Sequence, residues 1–257
     1  MTAIEKVLAA HIKNKQEVTI MDFIGKTAFV TGAAKGIGRA TAIGFAQKGA
    51  NVILADIGDL TETYEEVKNY TDNVIKVNFD VSNEAEARAA VSDTLEIFGK
   101  IDILVNNAGI FPSSDFLNSK SEDWKKVFDI NVLGTMYLSH AVLPSMIKNG
   151  YGRIVNLGSV AGVYGLSWFV DYSTSKGAVI SFTKALAKAV SDKGITVNCI
   201  SPGSVAPDHS DAMKNFSFVG RAGTYTEIAN VILFVASEEA SYISGQNYLV
   251  DGCRKQM

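Results

Sequence analysis

The sequence predicts an α/β fold, a single doubly wound domain whose seven-stranded parallel sheet is flanked by helices. Three observations carry this expectation. From Lys26 onward, apolar runs of strand length alternate with helical stretches, the spacing of successive βαβ units. The apolar runs show no polar alternation, as expected where both faces of a sheet are covered. A glycine-rich stretch, Thr31-Gly32-Ala33-Ala34-Lys35-Gly36-Ile37-Gly38, follows the first run and opens the first helix.

The elements follow in order. Strand Thr27–Thr31 leads through the glycine turn into a helix near 37–48. Strand Asn51–Ala55 ends at Asp56 and precedes a helix near 60–69. Asn73–Val77 is followed by a helix near 83–98. Ile101–Val105 precedes a long helix near 122–148. Arg153–Leu157 precedes a helix near 173–192. Thr196–Ile200, a helix near 226–237 and Tyr248–Val250 complete the set. Right-handed crossovers then make the sheet parallel, and a ligand is expected beyond the carboxyl ends of the strands. No linker or repeat interrupts this pattern, so residues 23–257 read as one domain. Residues 1–22 read as a helical extension, with Ile4, Val7, Leu8 and Ile12 spaced as on an amphipathic helix.

Composition narrows the function. The chain has 257 residues, 47% hydrophobic and 20% charged, which suits a well-filled core. The net charge of −3 and the lack of a dense Lys/Arg cluster argue against a nucleic-acid partner. No apolar run approaches ~18 residues, so no membrane segment is expected. Cys199 and Cys253 lack metal-ligand spacing. They read as reduced thiols, which implies no metal site and a cytoplasmic location.

The glycine turn has the spacing G-x-x-x-G-x-G, a variant of a dinucleotide fingerprint. Gly32, Gly36 and Gly38 let backbone N–H groups approach a pyrophosphate, and the following helix adds its positive end. Asp56 lies 18 residues after Gly38, where a carboxylate meets the adenosine ribose and repels a 2′-phosphate. That argues for NAD over NADP, although Lys35 pulls the other way. Asp80-Val81, after the third strand, could accept from the adenine amino group; a helix-capping role competes for Asp80. Tyr172 and Lys176 stand four apart, thirteen residues after Ser159. On a helix they share a face, and an ammonium beside a phenol lowers its pKa toward neutrality.

These residues resemble the short-chain dehydrogenases/reductases. The resemblance spans roughly residues 24–252 and rests on the glycine turn, Asp80, Asn106-Asn107-Ala108-Gly109, Asn131, Ser159, Tyr172 with Lys176, and Pro202-Gly203. It implies a Rossmann-type domain, a homotetramer, and hydride transfer between NAD(H) and a secondary alcohol or ketone. By position, Tyr172 is the implied acid/base and Ser159 the donor to the substrate oxygen. Lys176 is implied to bind the nicotinamide ribose, and Asn131 to hold a water in a proton relay. Gly32, Lys35, Gly36, Ile37, Gly38, Asp56, Asp80 and Val81 are implied on the adenosine and pyrophosphate side of the cofactor. Asn107, Ala108, Gly109, Pro202, Gly203 and Val205 are implied nearer the nicotinamide. Asn106 is implied to brace the sheet.

The chain departs from the family pattern at Pro207, where a threonine usually contacts the carboxamide. The segment from Pro202 to Arg221 is also short for a substrate-covering loop. Phe111, Tyr164, Trp168, Phe169, Phe216 and Phe218 are candidate pocket residues, and Asp208 and His209 could touch a polar group. An aromatic lining suits a bulky apolar substrate such as a hydroxysteroid. The alternatives are an NADPH-dependent 3-oxoacyl-thioester reductase, a sugar or polyol dehydrogenase, and a dinucleotide sensor without turnover.

Overall fold

The computed structural model describes residues 21–112, 115–207 and 211–255. The expected helix over residues 1–22, apart from Met21 and Asp22, lies outside them, as do Asp208 and His209. The strands are β1 (Thr27–Thr31), β2 (Asn51–Asp56), β3 (Val74–Asn78), β4 (Ile103–Asn106), β5 (Gly152–Leu157), β6 (Ile195–Pro202) and β7 (Asn247–Val250). They form one parallel sheet in the order β3-β2-β1-β4-β5-β6-β7. The helices are α1 (Gly36–Gln47), α2 (Thr61–Lys68), α3 (Glu84–Phe98), α4 (Ser121–Phe128), α5 (Gly134–Asn149), α6 (Ala161–Tyr164), α7 (Val170–Val190) and α8 (Tyr225–Ala236). This is the architecture of a Rossmann-type domain.

Successive residues of each strand point to opposite faces, and in β1, β2, β4, β5 and β6 both faces are buried. Val30, Leu54, Val105 and Val155 pack with Phe45, Ile232 and Leu233 of α1 and α8. Phe29, Ile53, Leu104 and Ile154 pack with Leu138, Val142 and Met146 of α5 on the other side. Phe23 meets Phe45 edge-on at 4.8 Å, and Met21 also packs on this core.

Strand order reverses between β1 and β4, whose Val30 and Val105 are paired. The chain segments leaving these strands splay apart there, which opens a crevice for a ligand. The glycine turn after β1 and the Asn107–Gly109 turn after β4 therefore meet at the same end of the sheet.

Some elements differ from expectation. The long helix near 122–148 is broken by a π-helical turn, Asp129–Leu133, between α4 and α5. The residue inserted there swings the buried Asn131 toward the strand ends. By length and composition the stretch Ser121–Asn149 could cross a membrane, but its Val127, Asn131, Leu138, Val142 and Met146 are buried within the fold. Helix α7 begins at Val170, so Tyr172 lies in its first turn. The short helix α6 has no counterpart in the sequence pattern.

Candidate functional site

The glycine turn is held by close packing. Gly32 adopts φ +64°, a left-handed conformation that glycine takes without a Cβ penalty. A Cβ on Gly38 would strike the Gly32 carbonyl oxygen, so the helix can approach the turn only without a side chain there. The Thr63 hydroxyl of α2 donates to the carbonyls of Ala33 and Ala34 at 2.9 and 3.2 Å.

Helices α3 and α8 carry side-chain caps at their starts. Asn83 accepts from the N–H groups of Ala85 and Glu86, and Thr224 and Glu227 form a reciprocal capping box. Helix α1 has neither device: Lys35 at its N-cap makes no side-chain cap, and no acidic residue stands in its first turn. Its unpaired N–H groups and positive end are left for an anionic ligand, which is the fit a dinucleotide pyrophosphate requires. Gly32, Lys35, Gly36, Ile37 and Gly38 would hold that group.

Asn107 and Ala108 brace this turn. Their backbone N–H groups both donate to the Thr31 hydroxyl at 3.0 Å, and the Asn107 amide donates to the carbonyls of Thr31 and Gly32 at 2.9 and 3.1 Å. Asn106 ties β4 to its neighbours as expected, donating to Asn156 at 2.9 Å and to Ser139 at 3.1 Å. The Asp80 carboxylate accepts from the N–H and hydroxyl of Ser82, in the turn before α3. Val81 is buried, and a Cβ on Gly134 would lie 2.9 Å from its Cγ2. That contact supports the π turn carrying Asn131.

Asn131, Ser159, Tyr172 and Lys176 converge beyond the ends of β4 and β5. The Asn131 carbonyl accepts from Ile110 N–H at 2.9 Å, and its amide donates to Ile110 O at 2.9 Å and to Ser175 Oγ at 3.1 Å. Ser175 also donates to Tyr172 O at 2.8 Å. A Cβ on Gly109 would stand 3.0 Å from Asn131 Oδ1 and 3.6 Å from Lys176 Nζ, so all three close round one spot. Lys176 is 5% exposed, and Nζ donates to Leu157 O at 2.6 Å. Burial lowers its pKa to about 8.

The expectation for the phenol is reversed. Tyr172 has a raised pKa because burial disfavours the phenolate; the hydrogen bond with Ser159 opposes that rise without cancelling it. Lys176 Nζ lies 5.8 Å from the Tyr172 ring centre, and its short bond goes to a carbonyl instead.

Ser175 and Gly162 were not foreseen from the sequence. A Cβ on Gly162 would lie 2.6 Å from Gly177 N and from Lys176 C. The lack of one lets α6, and with it Ser159, dock on α7 beside Lys176. Both signals are tertiary, since the contacts join residues brought together only by packing.

Pro202 ends β6 and accepts from Val160 N–H at 3.1 Å, while Gly203 N–H donates to Val250 O at 3.0 Å. Val205–Ala206 pairs with Gly223–Thr224. Pro207 lines a cleft of about 500 Å³ between α1 and α8, together with Lys35, Gly36 and Tyr225. Of the expected pocket rings, Phe111 and Phe169 reach Tyr172. Phe216 and Phe218 instead face the C-terminal residues, under Arg254 at 5.8 Å and Lys255 at 5.5 Å. Trp168 is 76% exposed.

A Rossmann-type sheet with a dinucleotide turn and a Ser-Tyr-Lys-Asn cluster at its switch point defines an oxidoreductase. The chain belongs to the short-chain dehydrogenase/reductase family; residues 32–253 match a family model described as enoyl-(acyl carrier protein) reductase. It is 37% identical over 238 residues to the 3-oxoacyl-(acyl-carrier-protein) reductase FabG of Thermotoga maritima, covering 89% of this chain and 97% of that protein. It is 38% identical to the corresponding reductase of Synechocystis (88% and 96% covered) and 36% identical to that of Escherichia coli (90% and 98%).

These relatives overturn two expectations. The reductases just described are named for a 3-oxoacyl-(acyl-carrier-protein) substrate, which backs the alternative reading over the hydroxysteroid or other NAD(H)-linked secondary-alcohol one. The aromatic wall that suggested a steroid is also smaller than expected, because Phe216 and Phe218 face the C-terminal residues. The NAD preference falls with it, since the 3-oxoacyl-thioester reading carries NADPH. Asp56 also serves the local fold: one oxygen accepts from Ala34 N–H at 3.0 Å and the other from Gly58 N–H at 2.9 Å, which tightens the turn.

Proposed function

We propose that this protein reduces a 3-oxoacyl thioester, presented on an acyl carrier protein, to the 3-hydroxyacyl thioester with NADPH. The observation that carries the proposal is the identity of 36–38% to reductases of that name, over some nine-tenths of the chain. The converging hydroxyls of Ser159 and Tyr172 support ketone reduction over the enoyl reduction in the family model's description. Two donors suit one carbonyl oxygen, whereas an enoyl group needs its proton on carbon.

The nicotinamide dinucleotide supplies the hydride when bound. Ser159 and Tyr172 donate hydrogen bonds to the ketone oxygen, where negative charge develops in the transition state. Tyr172 Oη gives up its proton to that oxygen. Lys176 stabilises the phenolate left behind, and Asn131 orients the water that returns the proton. The raised pKa keeps Tyr172 protonated at neutral pH, and the alkoxide formed by hydride addition is basic enough to take that proton. Cytoplasmic location and a homotetramer are part of the proposal; Met136 and Ile147 of α5, both exposed in the single chain, support a face for a second copy.

The test is turnover of a 3-oxoacyl thioester with NADPH, followed by loss of NADPH absorbance, beside the matching 2-enoyl thioester. Reduction of the enoyl compound alone would reject the reading. The kcat of reduction should decline as pH rises through about 8, where the buried Lys176 loses its proton, and a profile flat to pH 10 would remove Lys176 from the relay. Lys35 makes no ion pair among the described residues, unlike Arg39, which is held by Glu62 and Glu66. Lys35→Ala should therefore raise the KM for NADPH about tenfold, roughly 1.4 kcal/mol. An unchanged KM would show that Lys35 does not face the phosphates.

A further inference from the structure

The geometry points to Phe111 and Phe169 as positioning residues that hold the Tyr172 ring by edge-to-face contacts and add to its burial. The inference rests on the proposed ketone reduction for its kinetic test only. Phe111, in the loop after β4, meets the Tyr172 ring at 6.3 Å between centres, with the planes at 60°. Phe169, at the N-cap of α7, meets it at 6.2 Å and 67°. Both are edge-to-face arrangements, the preferred geometry of aromatic pairs, and they fix ring orientation as well as distance.

The exposure of Phe111 gives the argument its weight. Phe111 is 71% exposed, so it adds little to the core, and the ring it touches is the phenol that carries the proton. Phe169 reaches the same ring from the α6–α7 loop. The two rings thus come from segments far apart in sequence and close on Tyr172 from outside, while Ser159 bonds its hydroxyl from within. Among the described residues the charged groups that meet Tyr172 are Lys176, with Nζ 5.8 Å from the ring centre, and Asp171, whose Oδ1 accepts the Tyr172 backbone N–H at 2.9 Å. Burial is the main influence on the phenol, and no charge from the loops carrying Phe111, Ser159 or Phe169 adds to it.

The experiment compares Phe111→Ser, Phe169→Ser and the double variant with Phe111→Tyr and Phe169→Tyr, which keep the ring. The serine variants should lower kcat for a 3-oxoacyl thioester about tenfold each, leaving the KM for NADPH unchanged, and the tyrosine variants should restore kcat. Ultraviolet difference titration against the matching Tyr172→Phe proteins reads the Tyr172 ionisation directly. Admitting water should move that ionisation to lower pH in the serine variants. If wild type reduces no 3-oxoacyl thioester, the proposed function falls, and the titration alone decides this inference. A titration within 0.3 pH units of wild type (about twofold in the ionisation constant) overturns it. A kcat loss that the tyrosine variants fail to rescue also overturns it.

Discussion

Tyr172→Phe is expected to lower kcat for ketone reduction by about 10²–10⁴-fold, the range for removing a positioned acid. The substitution deletes one oxygen and keeps the ring, so the edge-to-face contacts with Phe111 and Phe169 persist. The glycine turn is also untouched. NADPH affinity, measured by fluorescence titration, should stay within a few-fold of wild type, and the thermal midpoint should barely move. A kcat within tenfold of wild type would transfer the acid role elsewhere. Loss of NADPH binding would mean that the phenol acts on the cofactor before it acts on the substrate.

Gly38→Ala should abolish cofactor binding at working concentrations. The new methyl meets the Gly32 carbonyl oxygen and lies 2.5 Å from the Asn107 amide nitrogen. The first clash is with backbone, which has nowhere to retreat: Asn107 bonds the same carbonyl, and Thr63 clamps the next two. Overpacking costs typically about 1–3 kcal/mol, and a rigid backbone contact belongs at the upper end. Spent on the turn that must hold the pyrophosphate, about 3 kcal/mol is a loss of roughly a hundredfold in affinity. The rest of the sheet should be preserved, which circular dichroism would report. Tight NADPH binding by this variant would show that the turn can shift and that its packing is not what shapes the site.

Much of this was legible in the chain. The seven strands were readable because buried parallel strands are short apolar runs, a local property. The glycine turn was readable because strand, turn and helix follow one another in sequence. Asn131 could be named through its family resemblance, but the π turn that carries it, Asp129–Leu133, could not, because no local pattern marked a break in the long helix. No local pattern marked Gly162 or Ser175 either. Asp56 could be placed at the end of β2 from the sequence, but its bonds to the N–H groups of Ala34 and Gly58 could not. The substrate class was misjudged because aromatic residues in the right segments need not turn the same way. Phe111 and Phe169 reach Tyr172, while Phe216 and Phe218 lie against Arg254 and Lys255 near the C-terminus.

By itself the sequence determined the parallel sheet and the glycine turn, which follow from runs, spacings and residue types within short windows; the set of Ser159, Tyr172, Lys176 and Asn131 was implied by the family resemblance. Only the tertiary structure decided how the members of the cluster hold their protons. Spacing alone set an ammonium near a phenol and implied a lowered pKa. Folding buried both groups, sent the Lys176 ammonium to the Leu157 carbonyl and enclosed Tyr172, so its proton is held more tightly than in water. Desolvation and hydrogen-bond partners come from residues distant in the chain, and no local pattern encodes them.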